Sequence, residues 1–249
     1  MNLYKFSPAI LTLIIFVLAQ AIGTALILSV GIESVSLFSA ILMGVNVFAV
    51  LGCYFLLHNI RFSTLGDVFP IRWYPAMLAF SGGCLGALSI SILTETVELP
   101  AEVLKVSLAM SQNFWGLLAL IVVGPICEEI LFREAIVGEM LRRGACPWMA
   151  IIVSALAFSL THLNLAQGLY AFPLGLMFGI IYYKTGNILL TSLLHILNND
   201  LAAAQLNAMG EKAAEVSFAE WFGSATTAYT VMAVTGILCI ILMKKLWDC

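Results

Sequence analysis

The chain has 249 residues, of which 62% are hydrophobic and only 10% are charged, whereas ordinary soluble domains carry about 25% charged residues. This composition excludes a water-soluble globule, and no polar segment is long enough to fold as a separate domain. The net charge of −3 comes without any basic stripe, which excludes a nucleic-acid-binding surface of the usual kind. We therefore expect one membrane-embedded domain over residues 1–249.

Eight apolar runs approach or reach the length that crosses a hydrocarbon core of about 30 Å. They predict an all-α polytopic membrane protein, a bundle of about eight transmembrane helices. The runs are residues 7–30, 35–58, 73–93, 114–141, 148–162, 168–183, 187–204 and 225–243. The fifth and sixth runs are short, and we expect them to lie partly sunken within the bundle. The connections 94–112 and 202–223 mix apolar and acidic residues, which is typical of interfacial connectors or of a gate at the outer surface.

The positions of Lys and Arg predict the orientation of the bundle, because basic residues favour cytoplasmic loops. With eight spans, one side carries most of the basic residues: Lys5, Arg61, Arg72, Arg142, Arg143, Lys184, Lys244 and Lys245. The other side carries Lys105 and Lys212. We expect an integral, multi-pass protein with both termini in the cytoplasm, and we assign it to a bacterial cytoplasmic membrane.

The fourth run contains three charged residues, Glu128, Glu129 and Arg133. A charge at the centre of a bilayer costs roughly 2.5–3.5 kcal/mol, so such residues indicate a functional site with partners nearby. Glu129 and Arg133 stand four positions apart, in the orientation that favours an ion pair along one helix. Neutralising Arg133 is also a purely structural explanation of this pair. Glu128 has no such partner on its own helix.

Two further runs carry polar residues at helical spacing. Phe158 and His162 lie four positions apart on the fifth run, and His195 and Asn199 lie four positions apart on the seventh. Unsatisfied polar groups in hydrocarbon cost several kcal/mol each, so we expect these groups to converge with Glu128 around a small water-filled cavity. A structural alternative for Asn199 is a hydrogen bond that joins two helices.

Such a set of groups can hydrolyse an amide bond. A buried carboxylate beside a neutral imidazole can take a proton from a trapped water as a general base. A second imidazole and an amide NH₂ one helical turn away supply two donors for an oxyanion. No nucleophilic serine or cysteine is required, since the activated water attacks the carbonyl directly.

The three motifs Glu-Glu-x-x-x-Arg, Phe-x-x-x-His and His-x-x-x-Asn, in this order on successive helices, resemble those of the CPBP family. These are the CAAX-prenyl-protease and bacteriocin-processing, or Abi, intramembrane endopeptidases, which include the type II CAAX protease. The resemblance implies a glutamate-dependent membrane protease with its catalytic core within residues 113–204. It implies that Glu128 and His162 activate the water and that His195 and Asn199 stabilise the oxyanion. Supporting roles fall to Glu129, Arg133 and Phe158.

The sequence leaves two alternatives open, a zinc-dependent protease and a protease without a metal. Members of this family were long described as metalloproteases, and one glutamate with two histidines, here Glu128, His162 and His195, could bind zinc. The motif His-Glu-x-x-His is absent, and we favour a protein without a metal or other cofactor. The six cysteines form no Cys-x-x-Cys pair, and we interpret them as buried small hydrophobic residues.

Two functions of other classes remain open at this point. Buried glutamate and histidine also line proton- or ion-coupled transporters, although no internal symmetry of the transporter kind is visible here. A non-catalytic immunity or scaffold protein is the other alternative. If the chain is a protease, its partners are the lipid bilayer and a membrane-associated peptide or protein, such as a prenylated CAAX peptide, a bacteriocin leader or a signalling peptide.

Overall fold

The computed structural model describes residues 3–30, 33–61, 72–214 and 216–249, and in these ranges the chain is helical without any strand. Eight long helices follow one another along the chain. They are α1 (Ser7–Val30), α2 (Val35–Leu57), α3 (Trp73–Thr94), α4 (Phe114–Arg142), α5 (Pro147–Leu160), α6 (Leu165–Thr185), α7 (Ile188–Met209) and α8 (Ala225–Asp248). The prediction of an all-α polytopic membrane protein is confirmed.

Six of these helices are long and apolar enough to span a membrane within the described part of the chain: α1, α2, α3, α4, α6 and α8. Helix α5 has only 14 residues, which is about 21 Å of helix. Helix α7 has 22 residues, but His195, Asn198, Asn199 and Asp200 make it less apolar. The predicted bounds were wrong for both. Helix α5 ends at Leu160, before His162, and α7 continues beyond residue 204 to Met209, where Gly210 at φ 60° ends it.

Glycines allow the helices around the site to pack closely. A Cβ on Gly175 of α6 would lie 3.0 Å from the Cα of Ala155 in α5, and a Cβ on Gly86 of α3 would lie 2.8 Å from the Sγ of Cys239 in α8. Small residues at such contacts replace the hydrophobic driving force that is missing between helices in lipid. The α5–α6 contact brings the aromatic residues of both helices to the centre of the bundle.

One end of the bundle collects most of the basic residues. The Lys5 ammonium donates to the carbonyl of Gly144, Arg142 Nη2 donates to the carbonyl of Asn59 at 2.8 Å, and Lys184 donates to the carbonyl of Trp247. At the opposite end, Asn207 Nδ2 donates to the carbonyl of Ser111 at 2.8 Å, and the Phe218 N–H donates to Glu95 Oε2 at 2.8 Å. We call the first the basic end: residues 4–7, 58–61, 142–148, 184–187 and 244–249.

A buried carboxylate at the basic end was not predicted from the sequence. The Glu134 side chain is 2% exposed, and its Oε1 accepts from Arg142 Nη1 at 2.8 Å and from the backbone N–H of Arg61 at 3.2 Å. The Tyr182 hydroxyl donates to its Oε2. Arg142 also binds Glu139, with 2.7 Å between Nε and Oε2. Glu134 thereby joins α4 to α6 and to the segment after α2.

The interpretation of the cysteines is only partly correct. Cys53 and Cys127 are buried and Cys239 is half-buried, but Cys84, Cys146 and Cys249 are exposed. Cys146 and Cys249 lie at the basic end. The error arose because a run of apolar residues does not distinguish a side chain that faces the bundle interior from one at its surface.

Candidate active site

The ion pair expected in α4 is present and fully buried. Arg133 Nε lies 3.1 Å from Glu129 Oε2, and both side chains are 0% exposed. Arg133 Nη2 donates to Glu129 Oε1 at 3.3 Å, and Nη1 donates to Ser154 Oγ of α5 at 3.3 Å. Burying two charges is strongly unfavourable unless they are paired and hydrogen-bonded, so each of these side chains depends on the other.

Two phenylalanine rings enclose the guanidinium and the imidazoles. The Arg133 Cζ lies 5.4 Å from the ring centroid of Phe158 and 5.7 Å from that of Phe178, within the range of cation–π attraction. Phe158 also packs edge-on against His162 and His195, with ring centroids 5.0 and 5.7 Å apart. Phe158 is therefore the shared neighbour of Arg133 and both histidines. Phe178, which also contacts the His195 ring, was missed because α6 carries no polar motif.

His195 lies between the two adjacent glutamates. Its Nδ1 is 3.1 Å from Glu129 Oε1, and its Nε2 is 3.7 Å from Glu128 Oε2. A carboxylate can only accept, so the proton of the first contact belongs to the imidazole Nδ1. The second distance is too long for a direct hydrogen bond. The Glu128 side chain is 25% exposed against 0% for Glu129, so Glu128 is the accessible carboxylate of the pair.

His162 lies in the turn that follows α5. Its Nδ1 donates to the carbonyl of Phe158 at 2.9 Å, and Thr161 Oγ1 donates to the same carbonyl at 2.7 Å. Asn164 Nδ2 donates to the His162 carbonyl at 2.9 Å, and Leu163 has a positive φ of 57°. The side chains of Thr161 and Asn164 thus satisfy backbone carbonyls that would otherwise lack a partner at the end of the helix. Within the described residues, His162 makes no direct hydrogen bond to Glu128.

Asn199 lies one turn beyond His195 on α7 and binds the backbone of α4. Its Nδ2 donates to the carbonyl of Leu120 at 2.9 Å, and its Oδ1 accepts from Asn198 Nδ2 at 3.3 Å. A carboxamide NH₂ has two protons. One of them is donated to the Leu120 carbonyl, and no acceptor for the other lies among the described residues.

A cavity of about 650 Å³ adjoins this group of residues. It lies between α3, α6 and α7, and Phe178 separates it from Arg133 and His195. Phe218 and Trp221 line it at the end opposite the basic end. Its wall is mostly apolar and carries Tyr170 and Asn198, not the four predicted catalytic residues. The expectation of a small polar cavity therefore does not describe this space, which suits a hydrophobic occupant.

The described residues contain no group of three or more His, Cys, Asp or Glu side chains arranged to hold a metal ion. The alternative zinc ligands, Glu128, His162 and His195, are not gathered in this way. Both nitrogens of His195 face carboxylates, and His162 Nδ1 binds a backbone carbonyl. Independence from metal stays a prediction that requires a biochemical test.

Comparison with known proteins gives two matches, and the family match covers the part of the chain that contains these residues. Residues 110–201 match the model of a family described as "Type II CAAX prenyl endopeptidase Rce1-like". A protein of Bacillus subtilis (strain 168) named "Putative membrane peptidase YdiL" is 31% identical over 78 residues, which are 31% of this chain and 32% of that protein. The chain thus matches about a third of the length of this curated relative. No solved structure matches.

The matched segment contains all three motifs, from Glu128 on α4 to Asn199 on α7. The resemblance predicted from the motifs is therefore confirmed: residues 110–201 are similar to the type II CAAX prenyl endopeptidases, which the CPBP family includes.

Proposed function

We propose that this protein is an intramembrane endopeptidase that hydrolyses a peptide bond of a membrane-associated peptide or protein with a water molecule activated by Glu128. The observation that carries the proposal is the position of His195 between two carboxylates, one fully buried and one accessible. The family match supports the reaction class, and the six apolar spans support a site within the bilayer.

The first step is the attack of water on the scissile carbonyl carbon. Glu128 accepts one proton of the water as the new C–O bond forms. The Nδ1–H of His162 donates a hydrogen bond to the Phe158 carbonyl, so in the neutral ring Nε2 is an acceptor for a hydrogen bond from the second O–H of the water. The carbonyl π electrons move to the oxygen and give a tetrahedral oxyanion.

Two donors are available for this oxyanion. Asn199 offers the Nδ2 proton that Leu120 does not use. His195 can donate from Nε2 when its ring carries a second proton, and the hydrogen bond from Nδ1 to Glu129 holds the ring in position. Removing one such donor from an oxyanion hole typically costs about 10²–10³ in kcat.

In the last step the C–N bond breaks. The tetrahedral intermediate re-forms its C=O bond as Glu128 returns the proton to the departing amide nitrogen. The products are a carboxylic acid and an amine, and Glu128 is again a carboxylate. Glu129 and Arg133 hold His195 in place, and Phe158 fixes the planes of both imidazole rings.

The test is a cleavage assay with the full chain in liposomes. The probes are a prenylated CAAX peptide, the same peptide without its prenyl group, and an unmodified hydrophobic leader peptide. Wild type should cleave at least one of them, and Glu128→Gln should reduce kcat by at least about 10³. The matched control is Glu102→Gln, since Glu102 is an exposed glutamate of the helix Ala101–Ser111.

The same liposomes separate the alternatives. Absence of cleavage by wild type, together with proton or ion flux that depends on Glu128, would replace the protease with a transporter. Equal cleavage by wild type and Glu128→Gln would remove Glu128 from the mechanism. Absence of both cleavage and flux would favour an immunity or scaffold protein.

A further inference from the structure

Helix α4 has an unusual hydrogen-bond register just before the glutamates. Residues Leu118–Val123 are π-helical, and the N–H of Gly124 donates to the carbonyl of Ala119, five residues earlier. The next bond in this register would run from residue 125 to the carbonyl of Leu120. Residue 125 is a proline, which has no N–H. The Leu120 carbonyl is thereby left without a partner within its helix, and Asn199 Nδ2 donates to it at 2.9 Å.

The other end of the Asn199 amide is held by a chain of hydrogen bonds from the cavity wall. Ser91 Oγ donates to the carbonyl of Ala87 at 2.9 Å and lies 3.4 Å from the Tyr170 hydroxyl. The Tyr170 hydroxyl donates to Asn198 Oδ1, and Asn198 Nδ2 donates to Asn199 Oδ1 at 3.3 Å. Every donor in this chain points toward Asn199. The chain therefore ends on an acceptor, the Asn199 carbonyl oxygen.

These two contacts fix the orientation of the Asn199 carboxamide, that is, the positions of its oxygen and of its NH₂ group. Turning the amide over would bring Asn199 Oδ1 against the Leu120 carbonyl and its NH₂ against the NH₂ of Asn198. Both contacts would then join groups of the same polarity, in a low-dielectric interior where such a mismatch is expensive. The observed orientation leaves one N–H of Asn199 without a partner among the residues that the structure describes.

We propose that Pro125, Tyr170 and Asn198 are positioning residues that lock the Asn199 amide with one N–H free for the oxyanion. The inference rests on the proposed function and extends it to residues outside the three motifs. Pro125 acts because it has no N–H. The Leu120 carbonyl is therefore free to accept the hydrogen bond that anchors the Asn199 amide. Tyr170 and Asn198 act from the apolar cavity, and neither is assigned to contact the scissile bond.

The test compares kcat and KM for Tyr170→Phe, Asn198→Leu and Pro125→Ala. Each should lower kcat about 10- to 100-fold, the effect expected when a catalytic group is displaced by a fraction of an ångström to an ångström, with KM changed less than about two-fold. Pro125→Ala is the sharpest of the three. It supplies the missing N–H to Leu120, so it should reduce kcat without lowering the unfolding temperature, which a merely structural role cannot explain. The matched control is Tyr229→Phe, at an exposed tyrosine of α8.

A double mutant and a spectroscopic measurement complete the test. In the Asn199→Ala background, Tyr170→Phe should cause no further loss of kcat, because both substitutions act through one amide. The side-chain ¹⁵NH₂ signal of Asn199 should become more mobile in Tyr170→Phe and in Pro125→Ala. An unchanged NH₂ mobility would overturn the positioning role whether or not any peptide is cleaved. Absence of cleavage by wild type would defeat only the proposed function.

Discussion

Glu128 and Glu129 are adjacent in the chain, yet their carboxylates have different surroundings. Successive residues of a helix point about 100° apart, and this rotation places Glu129 against Arg133 and His195, with no exposed surface. Glu128 keeps 25% of its side chain accessible, and its charged contact within the described residues is the one to His195 at 3.7 Å. The buried Glu129 carboxylate orients His195, and the accessible Glu128 carboxylate can exchange a proton with water. Two identical side chains can thus serve different roles because of burial and partners alone.

The Glu129–Arg133 pair should behave as a unit in stability measurements. Arg133→Met leaves the Glu129 carboxylate buried without its cation, and we expect it to lower the free energy of unfolding by about 3–5 kcal/mol. The double variant Glu129→Gln/Arg133→Met removes both charges and should recover part of that loss. Denaturant unfolding of the detergent-solubilised protein, followed by tryptophan fluorescence, measures both. A double variant less stable than the single one would contradict the pairing.

Cleavage should not depend on a metal ion. The part of the chain that the structure describes contains no group of three or more His, Cys, Asp or Glu side chains arranged to hold a metal ion, so Glu128, His162 and His195 are not gathered as a ligand set. We expect cleavage to persist within about two-fold after dialysis against a strong chelator. The measurement combines activity before and after dialysis with the zinc content of the purified protein by mass spectrometry. Stoichiometric zinc, with activity lost on chelation and restored by zinc, would establish the metalloprotease alternative.

The site could be predicted from the sequence only where it consists of charged or polar residues at helical spacing. Glu128, His162, His195 and Asn199 stand out because each is a polar residue in an apolar run. Phe178 and Tyr170 are as important to the geometry, but aromatic residues in a membrane helix carry no signal of their own. The partner of Asn199 is a backbone carbonyl, freed by the π register and by Pro125, and that register depends on packing that a single helix does not reveal.

At the level of elements, two helices are too short or too polar to count as apolar spans, and they position most of the proposed catalytic residues. Helix α5 is short and leads to His162 in the turn that follows it, while α7 is polar and carries His195 and Asn199. A polar helix is tolerated in a membrane when its neighbours cover it and satisfy its side chains. The sequence indicated α5 and α7 as elements, but their ends were misplaced because polar residues such as Gln205 and Asn207 resemble loop residues until their partners are known.

The elements at the basic end are held together by Glu134, and its removal should be more damaging than that of its neighbour Glu139. Glu134→Gln places an amide NH₂ where the Tyr182 hydroxyl donates and weakens the contact to Arg142. We expect a loss of about 1–3 kcal/mol in the free energy of unfolding. Glu139→Gln, at a more accessible carboxylate, should cost less than about 1 kcal/mol. Denaturant unfolding compares the two, and equal losses would show that Glu134 has no special role.

At the level of the whole molecule, the contacts between chain segments distinguish two ends. The start of α1 meets the end of α4 through Lys5 and Gly144, and the end of α6 meets the end of α8 through Lys184 and Trp247. The rings of Trp148 and Trp247 stack there, 4.5 Å apart. Segments that alternate along the chain therefore gather on one side, as the predicted eight crossings require. The excess of basic residues on that side favours the cytoplasm.

Two native cysteines allow this orientation to be measured. Cys146 and Cys249 are exposed and lie at the basic end, while Lys105 is an exposed residue of the helix Ala101–Ser111 near the opposite end. In otherwise cysteine-free chains that retain only Cys146 or only Cys249, a membrane-impermeant maleimide should label inside-out vesicles and leave right-side-out vesicles unlabelled. A cysteine-free chain with Lys105→Cys should show the reverse. Labelling of Cys146 and Cys249 from opposite sides would contradict the eight-crossing arrangement, and labelling of both only from outside would invert the bundle. Because Glu128 lies 14 positions from each end of α4, Phe114 and Arg142, the site is about 21 Å of helix from either end whichever orientation the labelling establishes.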